Sequence, residues 1–246
     1  MLQALIHKKL KASFTDPHFR PSEDTLTASV LGRFQYLPDN EVATIFRNAF
    51  GLSTSFPESI GQILDYQFWT HWDATNTDNS NFVEPDVWIE TSDYNIIVEA
   101  KKFDGGGQYE DQWRNEIQSF MDTFPLDKRL IIFIAIGGNT SLTERTILVK
   151  ENRYNIYPIS WFNLLHAVTT LLSQTEVPHQ QRILRDIIEA FEHHNYFDVT
   201  WLVSLPMIDL NSNVISSFES ISLLPVCDLY TPINKLNSKQ TIKWLG

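Results

Sequence analysis

The sequence predicts an α/β fold, a central mixed sheet flanked by helices, and three observations point to it. Residues 83–103, VEPDVWIETSDYNIIVEAKKF, read as two β-rich runs joined at the turn-prone Thr91-Ser92-Asp93, the composition of a tight hairpin. Leu130 to Ile136 is an unbroken apolar run followed by Gly137-Gly138, as expected of a central strand covered on both faces and too short to cross a membrane. Stretches with apolar residues at helical spacing lie between and beyond these runs. With 246 residues, 43% of them hydrophobic, one α/β domain with a sizeable core is expected.

The elements follow in order. Residues 22–37 predict a first helix, with Ser22 as N-cap and Leu26, Val30, Leu31, Phe34 and Leu37 as its apolar positions. Glu23 and Asp24 fall in its first turn, where the helix dipole favours acids without any catalytic role. Pro38 separates it from a short helix over 40–50. Residues 62–72, QILDYQFWTHW, predict the first core strand. Within it Asp65 reads as a hydrogen-bonded or solvent-facing group and is left out of the catalytic set, and His71, between Trp69 and Trp72, reads as a packed histidine.

The Gly105-Gly106-Gly107 turn leads into a helix over 108–123. No phosphate-binding loop is predicted there, because Gln108-Tyr109 stand where that motif needs a lysine and a hydroxyl. Trp113, Ile117, Phe120 and Phe124 form the apolar stripe of this helix, with Gln108, Gln112, Asn115 and Glu116 as polar groups on another side. Tyr154 to Ile159 predicts a further strand, 160–172 a helix starting at Ser160, and 179–194 a final helix with Ile183, Leu184, Ile187, Ile188 and Phe191 buried. His193 and His194 close it, where the charged form suits the negative end of the dipole. No cysteine or further histidine stands near them at zinc-ligand spacing. Residues 200–246, broken by Pro206, Pro225 and Pro232, read as an appended arm or small subdomain on a 1–199 domain.

The hairpin carries the chemistry. With Ser92 and Asp93 at the loop centre, paired positions sum to 185, which sets Asp86 opposite Glu99, Val87 opposite Val98 and Ile89 opposite Ile96. Side chains alternate along a strand, so Lys101 shares the face of Glu99 while Ala100 points the other way. One register thus gives an apolar face and a polar site together. Like charges across a ladder repel, so Asp86 and Glu99 ask for a cation between them. Hard carboxylate oxygens suit Mg²⁺, with Mn²⁺ as substitute, and the Ala100 carbonyl would complete the protein's share of ligands. Such an ion lowers the pKa of a bound water, while Lys101 orients that water or stabilises the transition state. The competing reading is an exposed hairpin edge bearing solvated charges.

Pro85-Asp86 followed by Glu99-Ala100-Lys101 resembles the PD-(D/E)xK nuclease superfamily, also called restriction-endonuclease-like. The resemblance implies a core running helix, three strands, helix, strand, which this chain offers in the same order before its C-terminal helices and appended tail. By similarity Asp86 is the aspartate of the first motif, and Glu99 and Lys101 are the acid and lysine of the second. An acidic residue on an early helix often joins such a site, which makes Glu23 a candidate metal ligand. Polar residues on the following helix often do too, which places Gln112 in the catalytic set beside a solvated reading of Gln108 and Gln112. The activity implied is metal-dependent phosphodiester hydrolysis, with DNA the expected substrate, by an endonuclease of a restriction, defence or repair type.

Composition pulls against part of this. A net charge of −11 opposes ordinary nucleic-acid binding, which needs clustered Lys or Arg against phosphate. Candidate sources of local basic surface are His7-Lys8-Lys9-Lys11, Lys128-Arg129, Arg182 and Arg185, and the tail lysines Lys235, Lys239 and Lys243, or a partner protein. A homodimer stays open, since nothing in the chain identifies a self-complementary surface. The single Cys227 excludes an intramolecular disulfide, and the N-terminal residues lack a signal-peptide pattern, so a cytoplasmic protein is expected. The second functional class is a catalytically silent, nuclease-derived interaction or regulatory module.

Overall fold

The computed structural model describes Ala4, Lys9 and residues 21–198 apart from 52 and 104. The expected arm at 200–246, with its lysines and Cys227, lies outside the described residues, as do His7, Lys8 and Lys11. The fold is α/β, with a six-stranded mixed sheet between layers of helices. Among the described residues no helix is long and apolar enough to cross a membrane.

Helix α1, Glu23–Phe34, opens with a capping box: Ser22 Oγ accepts the Thr25 N–H at 3.3 Å and Thr25 Oγ1 accepts the Ser22 N–H at 2.8 Å. It stops short of Leu37 in a tight turn, because Pro38 disfavours helical backbone in the residue before it. Helix α2, Asp39–Phe50, follows at once. The strands are β1 Ile63–Phe68, β2 Trp72–Asp73, β3 Phe82–Val83, β4 Val87–Thr91, β5 Tyr94–Ala100, β6 Leu130–Ile136, β7 Arg145–Val149 and β8 Asn152–Ile159. Helix α3, Glu110–Thr123, connects β5 to β6, and α4, Trp161–Gln174, and α5, Pro178–His193, follow β8.

The large sheet runs β1-β4-β5-β6-β8-β7. Neighbours β1, β4 and β5 are antiparallel, β5, β6 and β8 are parallel, and β7 returns antiparallel to β8. The β4–β5 register is the predicted one, with Val87 against Val98 and Ile89 against Ile96. Those four residues face a core shared with α1, α2, α4 and α5, whereas Trp88, Ile97 and Phe133 face a second core with Trp113, Ile117 and Phe120 of α3. Both faces of the hairpin are therefore buried, which removes the reading of a solvated edge.

Three sequence expectations are corrected. The run 62–72 is not one strand: β1 ends at Phe68, Trp69 takes a left-handed φ of 47°, and Trp72-Asp73 pairs with Phe82-Val83 in a separate ribbon. The turn has a cause, because it lets the Trp69 N–H and indole both reach Asp86. His71 is not packed between tryptophans. Its side chain is 59% exposed, 2.9 Å from Glu84 Oε2, and its ring stacks on Phe82. His194 is buried rather than charged at a helix end: Nδ1 donates to the Ala190 carbonyl at 2.7 Å, Nε2 lies 3.1 Å from Thr25 Oγ1, and burial holds its pKa below the usual histidine range.

The edge strand β7 was not foreseen. Its alternation is clear in the structure, with Ile147 and Val149 buried and Thr146 and Leu148 exposed, but the turn joining it to β8 is Lys150-Glu151, both at positive φ. Neither residue is a usual hairpin signal. The expected basic surface at Lys128-Arg129 is also largely consumed internally, since Arg129 pairs with Asp127 and, at 2.7 Å, with Glu90. Arg182 and Arg185 are exposed on α5.

Candidate functional site

Asp86 precedes the first residue of β4, and Glu99 and Lys101 lie at the carboxyl end of β5, where the parallel strands β5, β6 and β8 also end. That end of a parallel sheet is where open α/β folds place their ligands. Asp86 Oδ1 accepts the Trp69 indole N–H at 3.0 Å and Oδ2 accepts the Ala100 N–H at 2.8 Å. Glu99 Oε1 accepts from Lys101 Nζ and, at 2.6 Å, from Gln112 Nε2. Gln108 Nε2 holds the Glu99 carbonyl at 3.0 Å. From the first turn of α1, Glu23 Oε2 accepts the Lys102 N–H at 2.9 Å, and its Oε1 is 3.7 Å from Lys101 Nζ.

Asp86, Glu99, Lys101, Gln112 and Glu23 thus converge in the structure. Ala100 joins through its backbone while its methyl group is buried in the core on the opposite face. Gln112 is not a solvated helix residue, and Glu23 does more than cap a dipole.

The residue that sequence reasoning misplaced is Glu116. It is 2% exposed and hydrogen-bonded to both Glu99 and Gln112, and its Oε2 finds no donor among the described residues. Its position was legible: it sits three residues after Trp113 and four before Phe120, on the buried stripe of α3. An acid at a core position of an amphipathic helix is itself a signal.

Electrostatics explain what the cluster wants. Burial, then the Glu99 charge, raises the Asp86 pKa well above the aspartate range. Burial raises that of Glu99 against the opposing pull of Lys101 and Gln112. Burial and the Glu99 and Asp86 charges raise Glu116 well above the glutamate range. For Lys101, burial works against the ammonium, but Glu99, Asp86 and Glu23 outweigh it and keep the amine charged. One ammonium cannot neutralise this many carboxylates in a dry site.

A folding consequence follows. An acid whose folded pKa is raised binds more protons when folded than when unfolded, so its contribution to stability is present below the ordinary glutamate range and is lost as pH rises toward the folded pKa. In a chelator, Glu116→Gln is expected to match the parent near pH 4 and to gain on it as pH rises, by at most about 1.4 kcal/mol per pH unit. Thermal melts across pH check this, and a constant or shrinking gap would contradict it. Trp69→Phe, which removes the indole donor from Asp86, is expected to cost about 1–3 kcal/mol in urea denaturation.

Loop glycines shape the back of the site. A Cβ on Gly138 would lie 2.8 Å from Lys101 Cβ, and Gly107 already packs on the lysine stem, its own Cβ position being 3.5 Å from Lys101 Cγ. Trp161 Nε1 donates to the Lys101 carbonyl at 2.7 Å. The lysine stem is therefore held from two loops and its backbone carbonyl from a helix.

Fold and site together define an α/β protein with a buried carboxylate cluster and one ammonium at the carboxyl end of a mixed sheet. The chain belongs to the same family as an uncharacterized protein of Pasteurella multocida (strain Pm70), to which it is 32% identical over 233 residues, covering 85% of this chain and 87% of the relative. No family model matches the sequence. Among solved structures, a chain of the Thermococcus gammatolerans assembly of McrB AAA+ hexamers with bound McrC is similar over 50% of this chain and 28% of its own length, at 8% identity and a TM-score of 0.26. A likeness that small carries no argument.

Proposed function

We propose that the chain is a divalent-metal-dependent nuclease with a restriction-endonuclease-like core, cutting phosphodiester bonds in nucleic acid, with DNA the expected substrate. The observation that carries this reading is the meeting of Asp86, Glu99 and Lys101 in the register that the hairpin demands, beside a third buried carboxyl with an unpaired oxygen. The order of elements fits as well, since a helix bearing Glu23 precedes the hairpin and a helix bearing Gln112 follows it.

The donor set fits Mg²⁺ or Mn²⁺. Among the described residues no group of three or more His, Cys, Asp or Glu side chains is placed to hold a metal ion together, but magnesium takes one or two carboxylates and keeps several waters. Asp86, Glu99 and the Ala100 carbonyl would hold it. The Asp86 and Glu99 oxygens that already accept hydrogen bonds keep further lone pairs, and the orphan Oε2 of Glu116 offers one more acceptor. When bound, the cation supplies a more acidic water and neutralises charge on the phosphate.

The protein's own groups do the remainder. Lys101 keeps its proton and presents an ammonium to the phosphoryl oxygens where negative charge grows during displacement. Glu23, 3.7 Å from that ammonium, helps to hold it in place. Gln112 fixes the Glu99 carboxylate with one amide hydrogen, and Gln108 fixes the strand carrying it. Trp69 and the Ala100 N–H lock the Asp86 carboxylate in one rotamer.

The test is incubation of the purified chain with plasmid and with labelled single-stranded and duplex DNA and RNA, in Mg²⁺, Mn²⁺ or EDTA, beside Asp86→Ala. Metal-dependent cleavage lost in that variant is the expected result. Absence of cleavage in every substrate, together with absence of metal binding by calorimetry, would replace this reading with a silent nuclease-derived module.

A further inference from the structure

We infer that Phe103 and Tyr109 form a stacking rim that selects unpaired nucleobases, so that the substrate enters as single-stranded or locally unpaired nucleic acid; this deepens the nuclease reading and rests on it. The two rings are 68% and 67% exposed. They flank the Gly105-Gly106-Gly107 turn, which is pinned at both ends to one residue: the Gly138 N–H donates to the Phe103 carbonyl, and the Gly138 carbonyl accepts the Gln108 N–H at 3.2 Å. The loop between them packs on the stem of Lys101. Both rings therefore sit at the ends of a turn that packs against Lys101, the residue bonded to Glu99.

Lone exposed aromatics need no explanation. Two on one short loop beside a buried polar cluster do, because their burial waits on a ligand with flat apolar faces. Lys102 Nζ lies 5.3 Å from the Phe103 ring centre while donating to the Pro21 carbonyl at 2.6 Å. One face of that ring thus has a fixed cation near it.

Charge decides which nucleic acid fits. Duplex binding draws most of its affinity from phosphate neutralisation by clustered Lys and Arg, and this chain carries −11 overall. Stacking on aromatic side chains adds about 1–3 kcal/mol per base whatever the sequence, so a single strand has a source of affinity beyond phosphate neutralisation. In a duplex the base faces are already covered by their neighbours. Only unpaired bases can use Phe103 and Tyr109.

The experiment uses the full chain with Ca²⁺ as the cation and oligonucleotides carrying 2-aminopurine, whose fluorescence is quenched on stacking, as single strands and as duplexes of the same sequence at about 0.15 M salt, where exposed charges are screened beyond about 8 Å. Single strands are expected to bind at least about tenfold tighter than duplexes, with quenching. Phe103→Ala and Tyr109→Ala are each expected to weaken single-strand binding by about tenfold and relieve the quenching. Phe103→Tyr keeps both, and Tyr36→Ala, removing a comparably exposed ring in the turn after α1, changes neither.

Equal affinity for duplex and single strand, or unchanged quenching in the alanine variants, overturns the inference. If metal-dependent cleavage persists in the parent under those outcomes, the nuclease reading survives it. Sedimentation of the free chain supplies a further check: self-association that Phe103→Ala abolishes would make the rim a contact between copies and also overturn the inference. No cleavage of any substrate sinks both.

Discussion

Lys101→Met is expected to lower metal-dependent cleavage by at least about 10²–10³-fold, the usual consequence of removing one preorganised charge from a developing oxyanion. Methionine retains most of the lysine stem, so packing against Gly107 and Gly138 is preserved and the loss reports the ammonium. The same change strips Glu99 of its cation. Breaking one partner of a fully buried pair costs about 3–5 kcal/mol, and less is expected here because Lys101 is 22% exposed and Glu99 can take up a proton instead. The folding deficit of the variant should therefore shrink as pH falls, since protonation removes the uncompensated carboxylate. Single-turnover cleavage of a labelled strand measures the first effect, and melts between acid and neutral pH measure the second. A variant that cuts at more than a tenth of the parent rate would remove Lys101 from the chemistry.

Gly137→Ala is expected to destabilise the fold by about 3–5 kcal/mol, combining a left-handed backbone penalty with overpacking. Gly137 has φ 65°, and a methyl group there would lie 2.2 Å from the Lys101 carbonyl oxygen and 2.9 Å from Trp161 Nε1. Neither neighbour can yield cheaply. The carbonyl belongs to the end of β5 and accepts the Trp161 indole N–H, and Trp161 is fully buried. Gly51→Ala provides the contrast: its φ of 94° and ψ of 175° are a glycine-only conformation but nothing lies within 4 Å, so only the backbone penalty, about 1–3 kcal/mol, is expected. Urea denaturation of the two variants separates the effects, and similar losses would show that the clash is relieved elsewhere. Any folded Gly137→Ala protein is also expected to cut poorly, because relief of the clash moves Lys101.

The hairpin was legible in sequence because two independent constraints agreed. The Thr91-Ser92-Asp93 turn set the pairing sum, and the same sum buried Val87, Val98, Ile89 and Ile96 on one face. Once the register stood, the face shared by Asp86, Glu99 and Lys101 followed from strand alternation alone. Glu23 was readable as a first-turn acid, but its approach to Lys101 depends on how α1 packs against the sheet, which no local pattern encodes. The break in the run 62–72 escaped for a similar reason. Nothing in Phe68-Trp69-Thr70 signals a turn, and the left-handed φ at Trp69 is sustained by its two hydrogen bonds to Asp86.

Glu116 is the more instructive case. Its spacing from Trp113 and Phe120 puts it on the buried stripe of α3, although its chemistry set it, in the sequence reading, among the polar groups on another side of the helix. In the structure the spacing prevailed, because Glu99 and Gln112 give the buried carboxyl partners. A residue that breaks a local rule inside an otherwise regular helix is a place to look for function. The role of Gly137-Gly138 was likewise hidden: both glycines end a strand in the sequence, but their small size matters because of Lys101, which lies thirty-six residues away from the first.

The most direct measurement is an anomalous diffraction map from crystals of the chain soaked in Mn²⁺. The account predicts a single strong peak between the carboxylates of Asp86 and Glu99, within coordination distance of both, that disappears in Asp86→Asn crystals. No peak at that position under saturating Mn²⁺, with the Asp86 oxygens still held only by Trp69 and the Ala100 N–H, would contradict it.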